Sequence, residues 1–253
     1  VGVFALTGSA TGIGAAIKTQ LRDNGHQVIV VDLAEGDICA DLSALAGRQK
    51  AIDGIRALAP DGLDGFIPCA GLGPSVRPLS LIPQVNYFAA VAMTEGLLDL
   101  LLGRKGSVVM IASNSAAMVG HDEYVELMLN DQELEACGYI GDKDGHSAYA
   151  GSKHALSCWL RRNAPEYARQ GVRINAVAPG IINTPLSDKV LADKDLGAVM
   201  KDFGDSVPLG KTGEPEQIAD VVCFILSRKA SFMAGSIVFV DGGHDAMLRP
   251  DQF

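Results

Sequence analysis

Short runs of β-branched and other apolar residues alternate with helix-like segments along the whole chain, and no other feature constrains the fold as tightly. The runs are VGVFAL (1–6), HQVIVVD (26–32), LDGFIPCA (63–70), GSVVMIAS (106–113), VRINAVAP (172–179) and SIVFVDGG (236–243). Helical patterns fall between them near 13–24, 43–59, 81–102, 147–170 and 214–227. The strands are continuous apolar stretches, as expected where both faces of a sheet are covered. Such alternation predicts an α/β fold, a doubly wound parallel sheet with helices on both faces and right-handed crossovers. With 253 residues and no linker, repeat or low-complexity tract, residues 1–253 read as a single domain.

Two segments break the rhythm. Residues 114–146 join a strand to a helix with far more chain than the ~2–6 residues a βα loop needs. Part of it, HDEYVELMLNDQELEACGYI, fits a helix with Tyr124, Leu127, Met128 and Leu134 toward one side. Asp122, Glu123, Glu126, Asp131, Glu133 and Glu135 occur there without a Lys or Arg. Either a solvated helix packs beside the domain, or the insertion changes how subunits assemble. The second excursion is 181–213, and within it the segment about 183–207 carries Leu186, Val190, Leu191, Leu196, Val199, Met200 and Phe203. Those side chains suit either plain packing or a loop that closes over a flat apolar ligand.

A formal net charge of −9 makes nucleic acid and anionic membrane surfaces poor partners. No apolar run approaches the ~18–20 residues of a membrane span, and no signal peptide is expected before the first strand. Cys39, Cys69, Cys137, Cys158 and Cys223 lack CxxC spacing, so they read as reduced thiols of a cytoplasmic protein. His26, His121, His146, His154 and His244 are equally dispersed, and no metal site is expected.

The first strand runs into TGSATGIG, which places Gly8, Gly12 and Gly14 at a strand-to-helix turn. Glycine there allows a pyrophosphate to approach the helix N-terminus, where free N–H groups and the dipole favour anions. Asp32 ends the second strand and can accept hydrogen bonds from the ribose hydroxyls of NAD(H). It would repel the 2′-phosphate of NADP(H), and DLAEGD supplies no cation to offset that. The plainer alternative is a carboxylate capping a turn.

Tyr149 and Lys153 stand at i and i+4 in SAYAGSKHAL, one turn apart on a helix face. A free tyrosine, with a pKa of about 10, moves protons poorly at neutral pH; bringing it to ~7 requires about 4 kcal/mol of preferential phenolate stabilisation. A neighbouring ammonium and a bound nicotinamide cation can supply that, making Tyr149 the acid/base. Ser113 ends its strand at the carboxyl edge, where ligands bind in open α/β sheets, and can hold the reacting oxygen. Ser115, two residues on, is the competing choice.

TGSATGIG, CAG at 69–71, VN at 85–86, Tyr149-xxx-Lys153 and PG at 179–180, in this order over nearly the whole chain, resemble the short-chain dehydrogenase/reductase family. The resemblance implies a single-domain Rossmann fold of about seven strands and an NAD(H)-dependent oxidoreductase with Ser113, Tyr149, Lys153 and Asn86 as its catalytic set. Asn86 would interrupt its helix and position a water beside Lys153. The cofactor set it implies adds Thr11, Ile13 and Leu33 to Gly8, Gly12, Gly14 and Asp32. Asp41 and Leu42 would hold adenine, and Cys69, Ala70 and Gly71 would line the cofactor, although Pro68-Cys69 replaces the more usual asparagine pair. Pro179, Gly180, Ile182 and Thr184 would flank the nicotinamide, with hydride leaving its B face, and Tyr149 and Lys153 would complete the cofactor set, Lys153 reaching the nicotinamide ribose hydroxyls.

CAGLGP, the long insertion and the ending DGGHDAMLRPDQF are similar, within that family, to the bacterial 3α-hydroxysteroid dehydrogenase/carbonyl reductases. This narrower likeness implies a small apolar substrate, a steroid, interconverted between 3α-alcohol and 3-ketone. It also implies a homodimer whose contact the 114–146 insertion alters. Another secondary alcohol or a 3-oxoacyl thioester is the alternative substrate. A redox-sensing protein without catalysis is the alternative from another class, and retention of both Tyr149 and Lys153 speaks against it.

Overall fold

Successive residues of the second strand point into opposite layers: Ile29 and Val31 into one core, Val28 and Val30 into the other. The computed structural model describes residues 1–252, so Phe253, last residue of the expected domain and of its ending motif, lies outside the described residues. The strands are β1 (Val3–Thr7), β2 (Gln27–Asp32), β3 (Ile38–Cys39), β4 (Gly65–Pro68), β5 (Ser107–Ile111), β6 (Arg173–Pro179) and β7 (Ile237–Val240). They form one seven-stranded sheet in the order β3-β2-β1-β4-β5-β6-β7, and every pairing is parallel. This is the expected doubly wound architecture. The two-residue β3 is too short to register as an apolar run.

The early helices are α1 (Gly12–Asp23), α2 (Leu45–Leu58) and α3 (Leu81–Pro83). A π-helical segment (Gln84–Ala89) leads into α4 (Ala90–Gly96), followed by α5 (Leu98–Arg104). The single helix expected over 81–102 is therefore interrupted twice. The π segment carries Asn86, whose side chain is 1% exposed and bonded outside its own helix. The chain continues through a 3-10 turn (Asn114–Ala117), α6 (Glu123–Leu129), α7 (Glu133–Ile140) and α8 (Gly145–Arg169). Asp144 caps α8, its carboxylate accepting from the Ser147 N–H at 2.9 Å. The last helices are α9 (Pro185–Leu191), α10 (Gly197–Asp205), α11 (Pro215–Leu226) and α12 (His244–Leu248).

One core lies between the sheet and α2, α4, α5 and α8, and the other between the sheet and α1 and α11. Among the described residues, no single helix is long and apolar enough to cross a membrane.

The 114–146 insertion folds as two short helices, not one, and joins the first core. Tyr124, Val125, Met128, Ala136 and Ile140 are buried, and the Tyr124 ring stacks on Tyr139. Gly151 of α8 makes room for that ring, since a Cβ there would meet Tyr124 Cδ1 at 2.7 Å. Leu134, expected to face inward, is 85% exposed because Asp131, with φ of 57°, turns the chain between α6 and α7 and resets the helical phase. Glu133 makes the second anchor. Arg48, buried on α2, donates to both Glu133 oxygens at 2.6 and 2.7 Å. It also donates to the carbonyls of Leu42, Ser43 and Gln84.

Candidate active site

Chain order reverses across the sheet between β1 and β4, and the carboxyl ends of these strands open a crevice there. Thr7 Oγ1 accepts from the Ala70 N–H at 3.0 Å, tying the two loops together. The β1 turn has room only for glycine where it matters most. A Cβ on Gly14 would lie 1.9 Å from the Gly8 carbonyl oxygen, and one on Gly8, at φ of +72°, would lie 2.5 Å from Ala70 Cα. Thr11 occupies the N-cap of α1 without a side-chain capping bond, so the first-turn N–H groups face the crevice without a side-chain acceptor.

Asp32 holds this turn in place. Its Oδ2 accepts from the Ser9 and Ala10 N–H groups at 2.7 and 2.9 Å, and its Oδ1 from Leu33 N–H at 2.8 Å. The turn-holding alternative is thus realised; Oδ2 already accepts two bonds, whereas Oδ1, with one, keeps acceptor capacity.

A cavity of about 540 Å³ runs from this turn to the start of α8. Gly8, Thr11, Gly12, Ile13, Gly14 and Asp32 line one end. Cys69, Ala70, Gly71, Pro179, Gly180, Ile182 and Thr184 line its middle, and Ser113, Tyr149 and Lys153 converge on it from β5 and α8. Four expected residues lie off this lining. Leu33 points to solvent, Leu42 is buried in the core, and the exposed Asp41 carboxylate accepts from the Ser43 N–H and hydroxyl. Asn86 stands behind the wall. Its Oδ1 accepts from the Leu72 N–H at 2.7 Å, and its Nδ2 donates to the Leu72 carbonyl and Ser152 Oγ. It fixes the loop after β4 against α8, with Gly71 between Asn86 and Lys153: a Cβ there would meet their polar ends at 3.5 and 3.7 Å.

The Tyr149 phenol is raised above its ordinary value by burial, and a hydrogen bond with the Ser113 hydroxyl pulls the other way. Ser115 donates to Ser113 Oγ at 2.9 Å from its own hydroxyl, supporting Ser113 while lining the cavity itself. Lys153 is buried, donates to the Ile111 carbonyl at 2.7 Å, and is lowered by desolvation to about 8. This differs from the expectation that the ammonium lowers the phenol. In this arrangement its proton is directed at the end of β5, and burial dominates the tyrosine.

Leu186, Val190, Leu196, Val199, Met200 and Phe203, from α9, α10 and the connection between them, line the remaining side of the cavity. Leu191 does not and is exposed. Leu72, Pro74, Val76, Met118 and His146 also line it, and sequence reasoning assigns none of the five an individual role in the site. Met118 and His146 lie near the two ends of the insertion, so their proximity to the site follows from its being a closed loop between Ser113 and Tyr149.

Residues 136–245 match the family described as enoyl-(acyl carrier protein) reductase. Over 99% of both chains, the sequence is 36% identical to the 3-alpha-hydroxysteroid dehydrogenase/carbonyl reductase of Comamonas testosteroni. It is 30% identical to the cis-4-hydroxycyclohexanecarboxylate dehydrogenase of Sinomonas cyclohexanicum over 97% of each. The crystal structure of the 3-alpha-hydroxysteroid dehydrogenase from Pseudomonas sp. B-0831, complexed with NADH, superposes with a TM-score of 0.96 at 40% identity, covering 99% of this chain and 100% of that one. Together with the ordered motifs and the parallel sheet, these likenesses identify the chain as a member of the short-chain dehydrogenase/reductase family of oxidoreductases.

Proposed function

We propose that the enzyme interconverts 3α-hydroxysteroids and 3-ketosteroids with NAD(H), and reduces other carbonyls at the same site. The observation that carries this reading is one continuous cavity with a glycine turn at one end, Ser113, Tyr149 and Lys153 at its centre, and an apolar wall from 186–203. The glycine cradle, which a Cβ would fill, and the helix N-terminus without a side-chain cap fit a dinucleotide pyrophosphate. Gly8, Gly12, Gly14, Asp32, Pro179 and Gly180 would hold that cofactor, which when bound supplies or accepts the hydride.

The protein's own groups handle the proton. Ser113 holds the substrate oxygen by its hydroxyl, and Tyr149 donates a proton to that oxygen in reduction or removes it in oxidation. Its raised phenol favours the protonated, donating form. Lys153, once turned from the Ile111 carbonyl toward the cofactor ribose, adds the positive charge that draws the phenol back down. Asn86 keeps Gly71 and Leu72 in register with this helix.

The likeness to hydroxysteroid dehydrogenases and the apolar wall support a steroid over a small alcohol. Steady-state kinetics should give a clearly higher kcat/KM on 3α-hydroxysteroids than on small apolar secondary alcohols; equal or lower values on the steroids would remove this substrate class. Asp32→Ala should raise the NADPH-to-NADH ratio of kcat/KM about tenfold or more, since a few kcal/mol of repulsion at ~4 Å is removed. An unchanged ratio would assign the selectivity elsewhere. All five cysteines are free thiols, which suits the cytoplasm. A homodimer is proposed to form away from the face of α8 that α6 covers.

A further inference from the structure

Histidines and a cysteine dispersed in the sequence meet at one place, where no metal site was expected. His121 lies in the loop before α6; His154 and Cys158 are one turn apart on α8. A ring nitrogen of each histidine and the Cys158 Sγ lie within 4.8 Å of one another. His154 Nδ1 is 2.7 Å from the Ala116 carbonyl oxygen, and His121 Nε2 engages the Glu126 carboxylate. Each ring therefore has an acceptor on one nitrogen, the kind of outer partner that fixes the tautomer and rotation of a metal-binding imidazole.

We propose that His121, His154 and Cys158 form a binding site for a zinc-class divalent cation, with Glu126 and the Ala116 carbonyl as orienting partners. Imidazole and thiolate are the donors such an ion prefers, and three protein ligands leave one tetrahedral position for solvent. Ligand atoms around zinc at ~2.0–2.3 Å stand roughly 3.5 Å apart, so the three groups need to close by only about an ångström. Metal uptake requires Cys158 as the thiolate and so would release its proton to solvent. The thiolate and Glu126 carboxylate balance the ion's charge; Arg162, 4.0 Å from Glu126, is exposed and its effect is screened. The bound ion would tie the loop before α6 to α8, the helix that carries Tyr149 and Lys153, from the side away from the cavity. The site is separate from the steroid and dinucleotide assignments and does not depend on them.

The test uses the untagged full-length enzyme, stripped with chelator, freed of it, and titrated with CoCl2. Expected are one tightly held ion per chain, a near-ultraviolet thiolate-to-cobalt charge-transfer band, intense visible bands of four-coordination, and displacement of the colour by ZnCl2. Cys158→Ser should remove the charge-transfer band, and Glu126→Gln should weaken binding by about 10- to 100-fold. A six-coordinate spectrum without thiolate absorption, or an unchanged band in Cys158→Ser, which would place the metal on another thiol, overturns the proposal. Circular dichroism of each variant verifies that lost binding is not lost folding.

Discussion

Tyr149→Phe is expected to lower turnover by about 100- to 10,000-fold while leaving NADH binding nearly unchanged. The substitution keeps the ring and its packing and removes only the hydroxyl that meets Ser113. That hydroxyl is the one group assigned to carry the proton of the reacting oxygen, so its loss acts on kcat. The dinucleotide end of the cavity, built on Gly8, Gly14 and Asp32, is untouched. Fluorescence titration with NADH and steady-state turnover separate the two effects. Undiminished turnover would refute the acid/base role, and equal losses of NADH binding and turnover would make Tyr149 a structural residue.

The second large effect is on stability. Glu133→Ala should destabilise the fold by about 3 kcal/mol, because it leaves the Arg48 guanidinium buried without its carboxylate. At roughly 2–4 °C per kcal/mol for a chain approaching this size, Tm should fall by about 6–12 °C. Three carbonyls still accept from Arg48, which keeps the cost at the lower end of the range for a broken buried pair. The double variant Arg48→Met with Glu133→Leu should recover much of the loss, since removing both charges leaves nothing buried and unpaired. A thermal melt of Glu133→Ala indistinguishable from wild type would mean that α7 is not anchored through this pair.

Sheet architecture and the two ends of the cavity were legible in the sequence for a common reason. Buried parallel strands must be continuously apolar, so six of the seven announce themselves, whereas Ile38–Cys39 is too short to do so. The glycines at 8 and 14 are dictated by contacts closer than any side chain permits, and such constraints leave a mark in residue type. Side-chain direction was less legible. Leu134 fits an apolar stripe only if α6 and α7 are one helix, and the turn at Asp131 breaks that phase. Asn86 was placed correctly in an interrupted helix, but its clamp on Leu72 joins segments whose proximity only the fold creates. Asp41 has a local partner two residues away in Ser43, which engages one of its carboxylate oxygens, Oδ1. The meeting of His121 with His154 and Cys158 depends on how the insertion folds back on α8, which spacing along the chain does not encode.

The most direct measurement follows the hydride itself. A 3-ketosteroid is reduced with NADH carrying deuterium in the pro-S position of the nicotinamide C4, and the steroid product is examined by mass spectrometry and NMR. Deuterium should arrive at C3 of a 3α-alcohol, with protium in its place when the pro-R label is used. Label transferred only from the pro-R side would contradict the cofactor orientation proposed for Pro179, Gly180 and Thr184, and reduction without transfer of either label would contradict direct hydride transfer from the cofactor to C3 altogether.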